Sequence, residues 1–109
     1  MEHILRPKRV ILSGIRSGRK QLEIRVCDDK RALVRVGDML VFDFGDQEYR
    51  RKVTSIRRYD SFVAMLAIED ISRIMPGWTK EAILNGLQSI YSKEKEQLGV
   101  LVFELGTTL

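Results

Sequence analysis

Residues 17–25 read Ser-Gly-Arg-Lys-Gln-Leu-Glu-Ile-Arg (SGRKQLEIR), and Val26 extends the run. Leu22, Ile24 and Val26 alternate with Gln21, Glu23 and Arg25, the period-two pattern of a strand with one apolar and one polar face. Gly18 ends whatever precedes this strand. Glu23 and Arg25 share a side, whereas Lys20 has the wrong parity for it in a regular strand. Lys20 can join them only from the turn after Gly18, or through a bulge.

Upstream, LRPKRVILSGIRSG predicts a few extended residues and then a short helix. Pro7 suits its first turn and Gly18 its C-terminal cap. Downstream, VGDMLVFDF is a second strand entered through a Gly37-Asp38 turn, and Gly45–Gln47 turns the chain into EYRRKVTSIRRY, its hairpin partner. Period two along that partner puts Arg51 and Arg57 on one face and Arg50, Lys52 and Arg58 on the other. The second half changes to helical spacing. Phe62, Met65, Leu66 and Glu69 fall at i, i+3, i+4 and i+7 behind Asp60 or Ser61 as N-cap. Pro76-Gly77 interrupts, and Thr79 caps a longer helix with Ile83, Leu87, Ile90 and Tyr91 on its face. GVLVFEL (99–105) is apolar almost throughout, as in a strand buried on both faces. The fold class is α+β: a small barrel with flanking helices, one domain over residues 1–109.

The chain carries one cysteine and one histidine. An internal disulfide is excluded, a structural zinc site is not expected, and Cys27 has no evident histidine partner for nucleophilic work. No apolar run approaches the roughly 20 residues that span a bilayer. The N-terminal residues lack the apolar core of a secretion signal. SGIRSG lacks the spacing of a phosphate-binding loop. A cytoplasmic monomer with no cofactor and no membrane contact is the expectation. Net charge is +4, unevenly placed: residues 1–58 hold 15 Lys/Arg against 8 Asp/Glu, and residues 59–109 hold 4 against 7. That asymmetry predicts an electropositive half, the footprint of a polyanion partner.

Gly18-x-Lys20-x-x-Glu23-x-Arg25 resembles the G-x-K-x-x-E-x-R signature of the ASCH (activating signal cointegrator homology) domain. The Val36-Gly37-Asp38 turn, the Phe62-to-Glu69 helix, the MPG turn, Tyr91 and the late GVLVFEL strand recur in the same order as in its small prokaryotic members. The resemblance implies a PUA-like β-barrel and a cleft lined by the signature residues, with RNA or a nucleotide as ligand. Some members remove the acetyl group from an acetylated cytidine nucleoside with a lysine, a threonine nucleophile and a glutamate. Others are reported as ribonucleases. Lys20 matches the lysine and Glu69 falls near the glutamate, but Glu23 stands where the threonine would be.

Two functions follow as expectations. The first is an RNA- or nucleotide-binding module whose ligand meets Gly18, Lys20, Glu23, Arg25, Arg51 and Arg57. With Leu22, Ile24 and Val26 filling the barrel, Glu23 and Arg25 would face outward into a groove at its mouth. Arg25 would offer a planar fork to phosphate or a base edge, Glu23 would accept from an exocyclic amine, and Lys20 would supply a point charge. The alternative is a hydrolase acting on a modified nucleoside or on RNA, with Lys20 as electrophile and Glu23 or Glu69 as acid/base. Convergence of Lys20 with a carboxylate in a water-excluding pocket would favour the hydrolase. Arg51 and Arg57 belong to a basic hairpin that could track phosphates. Tyr49 and Tyr59 are expected to pack locally, and Trp78 to lie as a lid on the helix pair.

Overall fold

The computed structural model describes residues 1–106. Its five strands are β1 (Glu2–Leu5), β2 (Leu22–Val26), β3 (Met39–Asp43), β4 (Glu48–Tyr59) and β5 (Val100–Leu105). Helices α1 (Leu12–Ser17), α2 (Phe62–Ile68), α3 (Ile71–Ile74), α4 (Lys80–Ile90) and α5 (Lys93–Glu96) connect them, with single 3-10 turns at Arg9–Ile11 and Arg31–Leu33. The strands form one sheet in the order β1-β3-β4-β5-β2. The β1–β3 pair is parallel and the other three pairs are antiparallel.

β4 holds the sheet together. Its first half pairs with β3 and its second with β5. Between them, Val53 faces Leu105 and Ser55 faces Glu104, so Thr54 is one extra residue with no partner. A bulge of this kind bends a strand and increases its twist. The sheet accordingly curls into a half-barrel. Leu5 from β1, Phe42 from β3, Val53 from β4 and Phe103 from β5 meet in one buried cluster, although two strands separate β1 from β5 in the sheet. Only the concave face can bring them together.

The other buried cluster lies between β2, β5 and the helices: Leu22, Ile24 and Val26 pack with Phe62, Met65 and Ile74. This corrects the expected orientation of β2. Its apolar side lies under the helical layer, and Glu23 and Arg25 sit opposite Phe103 and Leu101, on the side that faces the curl. Alternation identifies an apolar face but cannot say which of two apolar layers that face meets. β5, buried on both faces as expected, gives no parity signal to decide it.

Local chemistry explains the helix ends. Ser61 accepts from the Ala64 N–H, Asp70 from Ser72, Thr79 from Ala82 and Ser92 from Lys95, four side-chain N-caps. Gly18 ends α1 with φ 80°, a conformation that L side chains rarely adopt. α1 begins only at Leu12, so Pro7 lies before the helix it was expected to open. Strand β1 and the Arg31–Leu33 turn carry no sequence signal that distinguished them beforehand, whereas α5 carries one that the sequence reading passed over, the Ser92 N-cap.

Candidate functional site

A cleft of about 240 Å³ opens beside β2, the edge strand. Its polar floor is Lys20, Glu23 and Arg25, and its aromatic walls are Trp78 and Tyr91. Met75, Leu87 and Ile90 add apolar wall, and Arg6, Pro7 and Lys8 close the opposite side.

Lys20 reaches the floor from the turn, as its parity required. Its N–H donates to the Gly14 carbonyl at 3.0 Å, so the chain doubles back on α1 immediately after Gly18. A Cβ on Gly14 would lie 2.9 Å from Lys20 Cβ, and this close approach is what the glycine permits. The ammonium is buried. It donates to the Leu22 carbonyl at 2.8 Å and the Ile74 carbonyl at 2.9 Å, and lies 3.3 Å from Glu23 Oε1. An ammonium has three hydrogens, so these acceptors saturate it. Burial pushes the Lys20 pKa below its ordinary value, against the opposing pull of Glu23.

Glu23 is buried between two cations. Arg25 Nε donates to Oε2 at 2.9 Å while Oε1 faces Lys20. Burial alone would raise this carboxyl; Arg25 and then Lys20 outweigh it and leave the pKa lowered, so Glu23 is an anion. Arg25 is the most open of the three, its side chain 18% exposed against 4% for Lys20 and 6% for Glu23. Glu23 occupies one flank of its guanidinium and Tyr91 stands within hydrogen-bond reach of it, and the remaining donors of its five are left for a ligand. Tyr91 stands beside Arg25 with its ring packed on Phe62, centroids 5.9 Å apart. Burial raises the Tyr91 pKa, keeping the phenol neutral.

The remaining expected site residues lie elsewhere. Gly18 positions Lys20 through the α1 cap and does not line the cleft. Arg51 is 1% exposed, on the inner face, donating to the Gly106 carbonyl at 2.6 Å and the Lys20 carbonyl at 3.2 Å. It cannot track phosphates from there. Arg57 is not on the face of Arg51 at all, because the bulge at Thr54 reverses the parity. Instead it grips Glu69 with two bonds of 2.7 and 2.8 Å and reaches Glu104 at 2.9 Å. Glu69 caps the end of α2, accepts from Arg57 and Tyr59, and is absent from the cleft wall. Lys20 therefore converges with Glu23 alone.

Tyr49 donates to Gln47 and stacks edge-on to Phe44, and Tyr59 bonds Glu69, so both tyrosines pack locally. Trp78 does lie against α4 near Gly86, but it also lines the cleft. Trp78, Arg6 and Lys8 are the cleft residues that sequence reasoning passed over. The Pro-Gly turn that throws Trp78 out of the helical layer was the available clue. Ile83, on the apolar face of α4, is buried in the core, whereas Ile90 near the end of that face is half exposed at the cleft.

A curled five-stranded sheet backed by helices, with a cleft at its edge strand, is a PUA-like fold. The chain belongs to the ASCH domain family, which it matches over residues 8–108. It is similar to the hypothetical protein PH0355, whose crystal structure superposes with a TM-score of 0.87 at 30% identity, covering 98% of this chain and 99% of that one. It is also similar to protein PF0455 from Pyrococcus furiosus, whose solution NMR structure gives a TM-score of 0.78 at 30% identity over 98% and 97% of the two chains. No curated protein matches it. Among the described residues no helix is long and apolar enough to cross a membrane.

Proposed function

We propose that this ASCH domain binds a nucleotide or an unpaired RNA base in the cleft beside β2. The observation that carries the reading is the Lys20–Glu23–Arg25 floor set between the Trp78 and Tyr91 rings. Glu23 is fully engaged by two cations, so it orients Arg25 and does not itself read the ligand. Arg25 offers its free N–H groups to the acceptor edge of a base or to phosphate. The rings supply π faces that every base can use. The three floor residues sum to one positive charge, and Arg6 and Lys8 add to it. A hollow of this size suits one base rather than a drug-sized ligand, for which pockets run from about 300 Å³ upward.

Trp78 is the chain's one tryptophan and reports on the cleft directly. Mononucleotides and short single-stranded RNA should quench its fluorescence saturably. Arg25→Ala should weaken that binding by about tenfold or more. An unchanged Trp78 signal with all four nucleotides and with RNA would sink the proposal.

The contact between Lys20 and Glu23 favours a second reading, since a buried lysine beside a carboxylate is what the hydrolase alternative requires. Against it, all three Lys20 hydrogens are engaged, and among the described residues no serine, threonine, cysteine or histidine lines the cleft. A Glu69 acid/base is removed from this site by its position. The binding reading is therefore preferred.

A further inference from the structure

The cleft does not end at Lys20. A second hollow of about 180 Å³ adjoins it, and Ile11, Lys20, Met75 and Trp78 belong to the walls of both. Beyond that partition the chemistry changes. The aliphatic groups of α4 and the Tyr91 ring give way to Ser13, Gly14, Arg19 and Pro76, and among the described residues no acidic side chain lines it.

Arg19 is exposed, and its guanidinium has no hydrogen-bond or ion-pair partner among the described residues. Its neighbours along the chain are committed elsewhere. Arg9 pairs with Asp46 at 2.8 Å, and Arg16 bonds Tyr49 and Gln47, each at 3.2 Å. Residues 6–19 thus wall both hollows and leave three uncommitted cations facing them: Arg6 and Lys8 at the first, Arg19 at the second.

We infer that the second hollow is an anion subsite, in which Arg19 and the Ser13 hydroxyl hold a phosphate linked to the base in the main cleft. The ligand is then a nucleotide, as monoester or within a strand, in preference to a nucleoside. This rests on the base-binding reading of the main cleft. An open guanidinium donates two parallel bonds to phosphate, and a serine hydroxyl supplies a third donor. Trp78 forms the shared wall, so a ligand spanning the partition passes along its ring.

The test titrates Trp78 fluorescence with a nucleoside, its 5′-monophosphate and a dinucleoside monophosphate, using wild type, Arg19→Ala and Ser13→Glu. The phosphorylated forms should bind about tenfold more tightly than the nucleoside, and Arg19→Ala should remove most of that advantage. Ser13→Glu should make phosphorylated ligands the weaker binders. Nucleoside affinity should hardly change in either variant. Whichever phosphorylated form gains most identifies monoester or diester. Equal affinity for nucleoside and nucleotides in the wild type, or an equal loss for all three in Arg19→Ala, overturns the subsite and leaves the base reading standing. Inorganic phosphate, titrated as a fourth probe, that binds through Arg19 while nucleosides fail to bind would keep the subsite and overturn the base reading. No binding by any probe overturns both.

Discussion

The Lys20 ammonium donates to the Ile74 carbonyl at 2.9 Å, joining the turn after α1 to the last residue of α3 across the floor of the cleft. The same nitrogen serves Leu22 and Glu23, so the signature lysine is a structural tie as well as a cleft residue. Lys20→Met keeps the length and loses the charge. It leaves two buried carbonyls and one oxygen of Glu23 unpaired, and should cost about 3–5 kcal/mol of stability, the usual penalty for breaking a buried pair. Urea denaturation measures this; a loss below about 1 kcal/mol would show the contacts to be dispensable.

Glu23→Gln separates orientation from catalysis. The amide retains the shape but removes the charge that holds Lys20 and Arg25 together. Wild-type protein should turn over no nucleoside, and the variant should lose about 1–3 kcal/mol of ligand affinity through a misdirected Arg25. Turnover in the wild type that falls by roughly 10²–10⁴ in Glu23→Gln at constant affinity would establish the hydrolase instead.

Gly14→Ala sets two effects against each other. Alanine favours a helix by about 1 kcal/mol over glycine. The added methyl, however, would stand 2.9 Å from Lys20 Cβ, an atom fixed by its own backbone and unable to swing away. Overpacking should win, with a net loss of about 1–2 kcal/mol. A raised melting temperature would show that the turn yields at little cost.

Arg51→Ala should destabilise the fold without changing the salt dependence of RNA binding. Its guanidinium serves the Gly106 and Lys20 carbonyls from inside the half-barrel and meets no solvent phosphate. The expected cost is about 2–4 kcal/mol from lost charged hydrogen bonds and the cavity left behind. Measured slopes of log affinity against log salt should coincide for the two proteins. A slope flattened by roughly 0.7, one phosphate contact on a single strand, would restore Arg51 to the interface.

Acid should weaken the fold through carboxylates held low. Hydrogen bonds from Arg57 and Tyr59 leave Glu69 below its ordinary value of 4.5. The bond from His3 and the Arg35 N–H bring Asp38 from 3.8 to about 2. Between the ordinary and the lowered values the unfolded chain binds more protons, so stability falls as pH falls. The loss should begin near pH 4.5 and run to about pH 2, with full stability above. Glu69→Gln should lower stability at neutral pH and flatten this limb, as denaturation midpoints against pH would show. An unaltered limb would remove Glu69 from the cause.

Much of the architecture was legible because it is written locally. Gly18, Ser61, Thr79 and Pro76-Gly77 mark their own turns and caps, and β2 shows its alternation plainly. The site was harder. Whether Glu23 faces water or the curl depends on which layer receives Leu22 and Ile24, and that is a decision of tertiary packing. Strand β1 escaped notice because four residues carry little periodicity and their partner, β3, begins at Met39. Trp78 was read as a lid because a tryptophan after a Pro-Gly turn packs on its helix whether or not a cleft lies on its other side.

Thr54 has a consequence for how changes spread along β4. A one-residue insertion or deletion in an ordinary strand exchanges its two faces from end to end. Here the unpaired residue works as a joint between two phases, with Arg51 and Val53 facing inward before it and Ser55, Arg57 and Tyr59 facing the helices after it. Removing Thr54 would force the halves into a single phase, turning either Arg51 out of the curl or Arg57 away from Glu69. A scan of substitutions along β4 should therefore show an even–odd rhythm of sensitivity that skips a beat at this position.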